Sequence, residues 1–240
     1  MSWFAKWFNS KYYHILYKER DKKEAEFFIN NLVEYLKLKK GSKLIDIGCG
    51  KGRHANYLNS LGFDVVGIDL SPNNIAAAKK NEKSNLHFEV QDMRKVYLED
   101  KFDIAINLFT SFGYFNNDTD EQAAINAMAK NLKSEGILVI DFMNVKKVIT
   151  NLVMSEQKSI NNVVFDIQKK VENNYIIKNI SIYDKEIKQK FQEKVKVLTL
   201  TDFYELITNA DLKIINIFGN YKLDDFDATT SDRLILICKK

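Results

Sequence analysis

The sequence has very little proline, few cysteines and no long apolar run. One proline and nine glycines occur among 240 residues, of which 45% are hydrophobic and 28% are charged. This balance is typical of a folded globular protein, and it excludes collagen-like, low-complexity and disordered chains. The length suits one domain of ordinary size, or one domain that carries a small insertion.

Cysteine and hydropathy both bear on the compartment. The two cysteines, Cys49 and Cys238, are too few for a disulfide framework. No stretch approaches the roughly 18 apolar residues of a membrane span. Lys6 interrupts the apolar run that a signal peptide would need. We therefore expect a reduced, cytoplasmic protein with no membrane contact.

The charge is weakly positive and unevenly distributed. The net charge is +4, which neither demands nor forbids a nucleic-acid partner. Residues 1–40 hold nine basic and five acidic side chains, and residues 145–200 hold eleven and six, so the remainder has a net charge of −5. A protein that binds nucleic acid needs a continuous basic surface. We expect no nucleic-acid partner, because the central part of the chain is acidic.

Short apolar runs alternate with helical stretches through the first 144 residues. Ser71 and Pro72 predict the start of a helix over 72–82, and another is expected over 53–61. Asp118 or Thr119 is predicted to cap a helix that runs to Leu132. This alternation predicts an α/β, doubly wound, mostly parallel sheet with helices on both faces. The predicted strands are 44–47, 64–68, 86–90, 102–106 and 137–140.

The pattern changes at both ends of this core. Residues 1–40 are predicted to be helical, with Gly41 as the stop signal. After Asn144, alternation of apolar and polar residues predicts an antiparallel meander with one wet face. Its lysines are interpreted as that solvated face. The meander is predicted over 161–171, 175–184 and 188–198; a helix follows over 201–209, then a strand hairpin of 212–218 and 233–238. The expected organisation is a helical lid at 1–40, a core at 41–144 and 201–240, and a β insertion at 145–200.

A glycine-rich loop follows the first predicted strand. In Gly48-Cys49-Gly50-Lys51-Gly52, glycines would let backbone amides at a helix start approach a ligand closely. The alternative interpretations of this loop are a phosphate-binding nucleotide fold and a dehydrogenase. The G-x-G-x-G spacing differs from the G-x-G-x-x-G of dinucleotide-binding folds, which disfavours the dehydrogenase.

Polar residues follow the next three strands. Asp69 lies nineteen residues beyond Gly50, where a carboxylate can bind both ribose hydroxyls. Its alternative role is a helix cap, which Ser71 already fills. Asp92 is placed to receive an adenine amine, and its alternative is a turn residue. Asn107 ends the fourth strand at the sheet edge where open α/β folds bind ligands.

These segments resemble class I S-adenosylmethionine-dependent methyltransferases. The resemblance covers Lys43 to Asp141 and the closing strands, through Leu-Ile-Asp-Ile-Gly-Cys-Gly-Lys-Gly-Arg-His, Gly-Ile-Asp-Leu-Ser-Pro, Val-Gln-Asp-Met-Arg and Phe-Asp-Ile-Ala-Ile-Asn-Leu-Phe. It implies a seven-stranded Rossmann-like sheet, S-adenosyl-L-methionine as cofactor and S-adenosyl-L-homocysteine as product. The cofactor-binding residues expected in the core are Gly48, Cys49, Gly50, Asp69, Leu70, Asp92, Met93 and Asn107, with the glycines under the methionine part, Asp69 on the ribose, and Asp92 and Met93 at the adenine.

The segment Tyr13-His-Ile-Leu-Tyr-Lys-Glu-Arg20 carries a finer resemblance. Its Tyr-x-x-x-Tyr-x-x-Arg spacing is similar to that of amino-sugar N-methyltransferases, which also have a small antiparallel sheet after the fifth strand. The resemblance implies that the N-terminal helix folds over the cofactor, so that Tyr17 and Arg20 reach its methionyl end. It implies a small-molecule acceptor.

The residues expected around the acceptor are less specific. Tyr13, His14, Phe112 and Tyr114 are candidate substrate contacts, although an aromatic run also suits a core. His54 and Tyr13 are candidate catalytic residues, and His54 has packing as its alternative. In-line methyl transfer depends mainly on positioning, so an amine acceptor needs no base for the transfer itself. Cys49 has no Cys or His partner at metal-ligand spacing, and no metal is expected.

Amine and hydroxyl acceptors both stay open at this point. Two rival functions are an RNA or other nucleic-acid methyltransferase and a non-catalytic cofactor-binding subunit that activates a partner. A homodimer is a further possibility for the assembly.

Overall fold

The computed structural model describes residues 3–17 and 22–240, with side chains from Lys6 to Tyr17 and from Lys23 onward. Its centre is a seven-stranded sheet of β1 Lys43–Ile47, β2 Asp64–Asp69, β3 Leu86–Val90, β4 Phe102–Asn107, β5 Leu132–Met143, β10 Lys213–Phe218 and β11 Arg233–Lys239. The strand order is β10-β11-β5-β4-β1-β2-β3. Strand β11 is antiparallel to both neighbours and the other six run parallel, so the predicted doubly wound sheet and the predicted closing hairpin are confirmed.

Helices pack on both faces of this sheet. The helices are α1 Trp3–Phe8, α2 Lys11–Leu16, α3 Lys22–Tyr35, α4 Arg53–Ser60, α5 Pro72–Ala78, α6 Asp118–Asn131, α7 Val145–Thr150 and α8 Leu200–Thr208. Apolar residues of α3, α4 and α5 form one core layer, and those of α6 and α8 form the other. Each layer buries the apolar side of its helices against the sheet, which is why the central strands β1 and β4 are buried on both faces.

A separate four-stranded antiparallel sheet lies between β5 and α8 in the chain. Its strands are β6 Ser155–Ile160, β7 Val163–Glu172, β8 Tyr175–Asp184 and β9 Ile187–Lys196, paired in chain order. The sequence did not predict strand β6, because the segment SEQKSI is almost wholly polar and shows no alternation of apolar and polar residues. One face of this sheet, including Phe165 and Ile180, buries Trp7 and Tyr12 of the N-terminal helices.

Two predicted helix ends are wrong, the last turn of α3 and the cap of α6, and hydrogen bonds explain both differences. Helix α3 ends at Tyr35, because Lys37 adopts the left-handed conformation (φ 50°) while Leu38 N–H donates to the Val33 carbonyl, so Gly41 is not the stop signal. Asn117 caps α6, and the helix ends at Asn131. Helix α7 was not predicted. None of the helices in the described ranges has the length and apolar character that crossing a membrane requires.

Candidate active site

A cavity of about 440 Å³ opens at the carboxyl ends of β1, β2, β3 and β4, below α1 and α2. This is the edge where open α/β sheets bind ligands. Most of the predicted site residues line it: Tyr13, His14, Tyr17, Gly48, Cys49, Gly50, His54, Asp69, Leu70, Asp92, Met93 and Tyr114. Arg20 lies outside the described residues.

The glycine loop forms the floor of the cavity. Gly48 and Gly50 have φ of +77° and +56°, values that favour glycine. A Cβ atom on Gly48 would lie 2.8 Å from the Cβ atom of Ser111, so the loop and the segment after β4 are in close contact. The amides of Gly48 and Cys49 both donate to the Ile68 carbonyl at 2.8 and 3.0 Å. The loop is therefore attached to the end of β2, where Asp69 begins the next turn.

Asp69 connects the glycine loop to the β2–α5 turn. Its Oδ2 accepts from the Gly50 amide at 2.9 Å, and its Oδ1 accepts from the Ser71 amide at 2.8 Å. Burial raises the pKa of Asp69, and these amides oppose that shift. Oδ1 also accepts from Asn74 Nδ2 at 3.4 Å, whereas Oδ2 keeps a second lone pair, so the carboxylate can still accept a hydrogen bond from a ligand. Ser71 caps α5 as predicted, since its hydroxyl accepts from the Asn74 amide.

Asp92 is held by an arginine that the sequence reasoning missed. Arg94 Nε lies 3.1 Å from both Asp92 oxygens, and its Nη2 lies 2.6 Å from Oδ2. Burial acts to raise the pKa of Asp92, but the hydrogen bonds from Arg94 outweigh it and the pKa is lowered. Arg94 also pairs with Asp120 at 2.9 Å. The Asp-x-Arg spacing was the available signal for this pair.

The N-terminal helices are attached to the second sheet by buried polar contacts. Glu193 accepts from Trp7 Nε1 at 2.7 Å and from the Tyr17 hydroxyl at 2.6 Å, and pairs with Lys178 at 2.9 Å. The Tyr17 hydroxyl therefore binds Glu193, while the residue still contributes to the cavity lining. Lys178 has only 22% of its side chain exposed, so the interpretation of these lysines as a solvated face is wrong for this one.

The same helices also contact the seven-stranded sheet. Asn9 Oδ1 accepts from the Ser71 hydroxyl at 2.8 Å, next to Asp69. Phe8 and Tyr13 pack edge to face at 5.0 Å, and Phe8 packs against Tyr114 at 5.1 Å. Since Phe8, Tyr13 and Tyr114 all line the cavity, aromatic rings from the N-terminal helices and from the segment after β4 form one wall.

The two histidines of the cavity are both neutral near pH 7. Burial and then Arg53 lower the pKa of His54 to about 3. Its ring stacks on Phe109 at 5.0 Å, and Nε2 accepts from Arg53 at 3.1 Å. The stacking on Phe109 and the lowered pKa favour packing over the candidate catalytic role of His54, which stays a prediction. Burial and then Lys51 lower the pKa of His14, which is half-buried beside Tyr13.

Three hydroxyl groups after β4 have fixed hydrogen-bond directions. The Tyr114 hydroxyl donates to the Thr110 carbonyl at 2.7 Å, and the Ser111 hydroxyl donates to the Leu108 carbonyl at 2.8 Å. Thr110 Oγ1 accepts from Arg233 Nη2 at 3.0 Å. Because each hydroxyl has one proton, Tyr114 and Ser111 can only accept from a ligand, whereas Thr110 can donate.

Two predicted site residues do not reach the cavity. Phe112 is fully buried and packs against Phe115 and Phe203 in the core, so its expected contact with substrate is wrong. Asn107 is also fully buried, and its Nδ2 donates to the Ile47 carbonyl at 2.8 Å, which ties β4 to β1. It supports the glycine loop from behind and does not line the cavity.

Comparison with known proteins identifies related chains. Residues 38–211 match the family model described as a methyltransferase domain. A dTDP-3-amino-3,4,6-trideoxy-alpha-D-glucopyranose N,N-dimethyltransferase of Streptomyces venezuelae is 31% identical over 101 residues, which cover 42% of this chain and 42% of that relative. The aligned part thus spans less than half of the relative's length.

Solved structures share the fold. An S-adenosylmethionine-dependent methyltransferase from Clostridium acetobutylicum superposes with a TM-score of 0.79 at 18% identity, covering 95% of both chains. The sugar N-methyltransferase KedS8 from a Streptoalloteichus species has a TM-score of 0.71 at 20% identity, covering 94% of this chain and 92% of that one. At these identities the likeness shows the fold.

Proposed function

Because the chain belongs to the methyltransferase-domain family, we propose that it transfers a methyl group from S-adenosyl-L-methionine to the nitrogen of a small-molecule amine. The product from the cofactor is S-adenosyl-L-homocysteine. The observation that carries the choice of an amine is the fixed direction of the hydroxyl groups in the cavity wall.

The residues of the cavity fit the cofactor. A Cβ atom on Gly50 would project into open space beside the loop, and Asp69 Oδ2 retains a lone pair for a ribose hydroxyl. Leu70 and Met93 offer apolar surface beside Asp92, as an adenine ring requires. When bound, the cofactor supplies an electrophilic methyl group on a sulfonium. The protein's part is to hold the acceptor in line with that methyl group.

The acceptor wall fits a group that carries N–H protons. Tyr114 and Ser111 have donated their own protons to backbone carbonyls, so both oxygens can accept from an amine. A primary amine can donate one N–H to each of the two oxygens, whereas a hydroxyl has a single proton to donate and a phenolate or carboxylate has none. Those two contacts turn the N–H groups toward the wall and leave the nitrogen lone pair for the methyl group. His14, which lines the cavity beside Tyr13, is the residue we assign to take up the proton released after transfer.

An amino sugar is the acceptor class that we propose. The Streptomyces venezuelae relative is named for an amino-sugar substrate and for N,N-dimethylation. The contacts of Glu193 and Asn9 support a role for α1 and α2, within residues 1–40, as a cover over the cavity, with residues 145–200 as its support, whereas α3 packs in the core. No observation favours a nucleic-acid acceptor.

Binding and turnover test the proposal separately. Calorimetry with S-adenosylmethionine and S-adenosylhomocysteine, with NADH as control, should give micromolar binding of the first two compounds. Tritium transfer from the cofactor should then be measured on amino sugars and on the matching sugars with a hydroxyl in place of the amine. We expect label in the amines alone.

Matched tyrosine variants connect the turnover to the cavity wall. Tyr114→Phe should lower turnover on the amine about tenfold, since one acceptor and one backbone contact are lost, while Tyr204→Phe, on the exposed face of α8, should leave it unchanged. Preferential labelling of hydroxyl sugars would overturn the amine assignment. Cofactor binding without turnover would favour the non-catalytic subunit, and retention on heparin with labelled RNA would favour the nucleic-acid enzyme.

The proposal also covers the cellular compartment and the oligomeric state. We infer a reducing, cytoplasmic location, which the free and buried thiols of Cys49 and Cys238 support. A fluorescent fusion in cells of the source would test it. The homodimer is kept as a prediction that light scattering would decide.

A further inference from the structure

We propose that Arg233, acting through Asp141, is a positioning residue for the acceptor: it fixes the backbone at Phe109 and Thr110 and directs the Thr110 hydroxyl proton into the cavity. This inference rests on the proposed function, because it assigns a role within the same site. Neither Arg233 nor Asp141 lines the cavity, whereas Phe109 and Thr110 both do.

The backbone at Phe109 and Thr110 is unusual. Their φ angles are 57° and 60°, so two consecutive non-glycine residues are left-handed, and one of them is β-branched. For a β-branched residue this conformation is a genuine outlier. Such strain persists only where the surrounding structure holds it, and it concentrates at ligand-binding sites.

Asp141 holds both strained residues by their amides. Its Oδ2 accepts from the Phe109 amide at 2.8 Å, and its carbonyl accepts from the Thr110 amide at 2.9 Å. The Asp141 side chain is completely buried, so its charge requires a partner. Arg233 provides that partner through Nε, which donates to Oδ1 at 2.7 Å. The Tyr221 hydroxyl donates to Oδ2 at 3.2 Å.

Arg233 also sets the direction of the Thr110 hydroxyl. Its Nη2 donates to Thr110 Oγ1 at 3.0 Å, and a guanidinium has no acceptor. The proton of that hydroxyl must therefore point away from Arg233. Since Thr110 lines the cavity, this proton is a donor for a polar oxygen of the acceptor molecule. The wall then presents one donor at Thr110 beside the two acceptors at Ser111 and Tyr114.

The same network fixes the aromatic ring next to Thr110. Phe109 stacks on Tyr221 at 5.3 Å and on His54 at 5.0 Å, and the Arg53 guanidinium lies 4.5 Å from its ring centre. Release of the left-handed backbone would move this ring and the threonine together. Loss of Arg233 should thus affect the acceptor more than the cofactor.

Arginine and threonine variants test the inference. Arg233→Lys keeps a positive charge beside Asp141 but loses the second donor, which reaches Thr110. We expect a tenfold or greater loss in kcat/KM for the acceptor, with the cofactor Kd within threefold of wild type. Thr110→Val should reproduce the loss, and Thr110→Ser should restore most of it.

The control is an ion pair that is buried away from the cavity. Lys196→Met removes the partner of Glu121, whose side chain is 1% exposed, and neither residue lines the cavity. It should lower the Tm and leave acceptor kcat/KM per folded molecule unchanged. An equal loss of kcat/KM in Lys196→Met and Arg233→Lys would show that Arg233 acts through stability alone and would overturn the proposal.

A second readout does not depend on the acceptor. Amide exchange at Phe109 and Thr110 should become at least tenfold faster in Arg233→Lys, while the amides of β1 keep their protection. Unchanged exchange at both residues would overturn the proposal even if no acceptor is found. Absence of methyl transfer by the wild-type protein would instead count against the proposed function, so the two failures are distinguishable.

Discussion

Substitution of three glycines by alanine separates backbone strain from loss of the cofactor site. Gly41, Gly48 and Gly50 all have left-handed φ angles, of +80°, +77° and +56°. Alanine in this conformation costs about 1–2 kcal/mol relative to glycine. We expect the free energy of unfolding of each variant to fall by at least this amount, so the cost of backbone strain is common to all three.

The surroundings of the three glycines differ. A Cβ atom at Gly41 or Gly50 would meet no atom within 4 Å, whereas at Gly48 it would lie 2.8 Å from the Ser111 Cβ atom. Displacement of Ser111 adds an overpacking cost of about 1–3 kcal/mol. Gly48→Ala should therefore be less stable than the other two variants by that amount. Urea unfolding measures this difference.

Cofactor binding should follow a different order. Gly41 lies in the turn before β1 and does not line the cavity, whereas Gly50 does. We expect Gly41→Ala to bind S-adenosylhomocysteine as wild type does. Gly50→Ala should bind about tenfold or more weakly, which corresponds to about 1.4 kcal/mol. Calorimetry on the two equally strained variants gives the comparison, and equal Kd values would refute the assignment of the glycine loop to the cofactor.

Three further substitutions test individual side chains. Asp69→Ala should weaken cofactor binding by about 1–3 kcal/mol in calorimetry, because hydrogen-bonding groups are left without a partner; unchanged affinity would contradict the ribose assignment. His54→Phe should change kcat less than about threefold, since the ring packs on Phe109, and a large loss would support a catalytic role. Burial, and then the charge of Asp69, raise the pKa of Asp46 to about 7. The folded state thus holds this proton more tightly than the unfolded state, and wild-type stability falls as pH rises from about 4 to 7. Asp46→Asn should gain about 2–3 kcal/mol relative to wild type between pH 5 and pH 8 in urea unfolding, and a difference that is independent of pH would refute the shift.

The seven-stranded sheet could be predicted because each of its elements is encoded locally. Apolar runs such as Leu44–Ile47 differ clearly from the amphipathic helices between them. Strand β6 lacked that signal, because an exposed edge strand needs no apolar residues. The cap of α6 was misplaced because Asn117, Asp118 and Thr119 are all good cap residues, and only the hydrogen bond from the Asp120 amide distinguishes Asn117.

The candidate site also has one half that is encoded locally along the chain and one half that is not. The residues of its cofactor half directly follow strands β1, β2 and β3, so order along the chain was enough to bring Gly50, Asp69 and Asp92 together. Contacts in the acceptor half join distant segments. Arg233 is 92 residues from Asp141, and Glu193 is 176 residues from Tyr17. No spacing rule relates such pairs.

Charged residues on the four-stranded sheet show why contacts between distant segments were not predicted. A strand that alternates apolar and charged residues predicts one buried and one exposed face, but it does not predict a charged pair on the buried face. Lys178 and Glu193 lie opposite each other on the same face as Ile180 and Phe191, where α1 and α2 pack, so they form a buried pair next to these helices. We therefore expect substitutions at Arg233, Asp141 and Glu193 to alter the choice of acceptor without loss of cofactor binding. These residues act on the N-terminal helices and on the segment after β4, while the glycine loop stays intact.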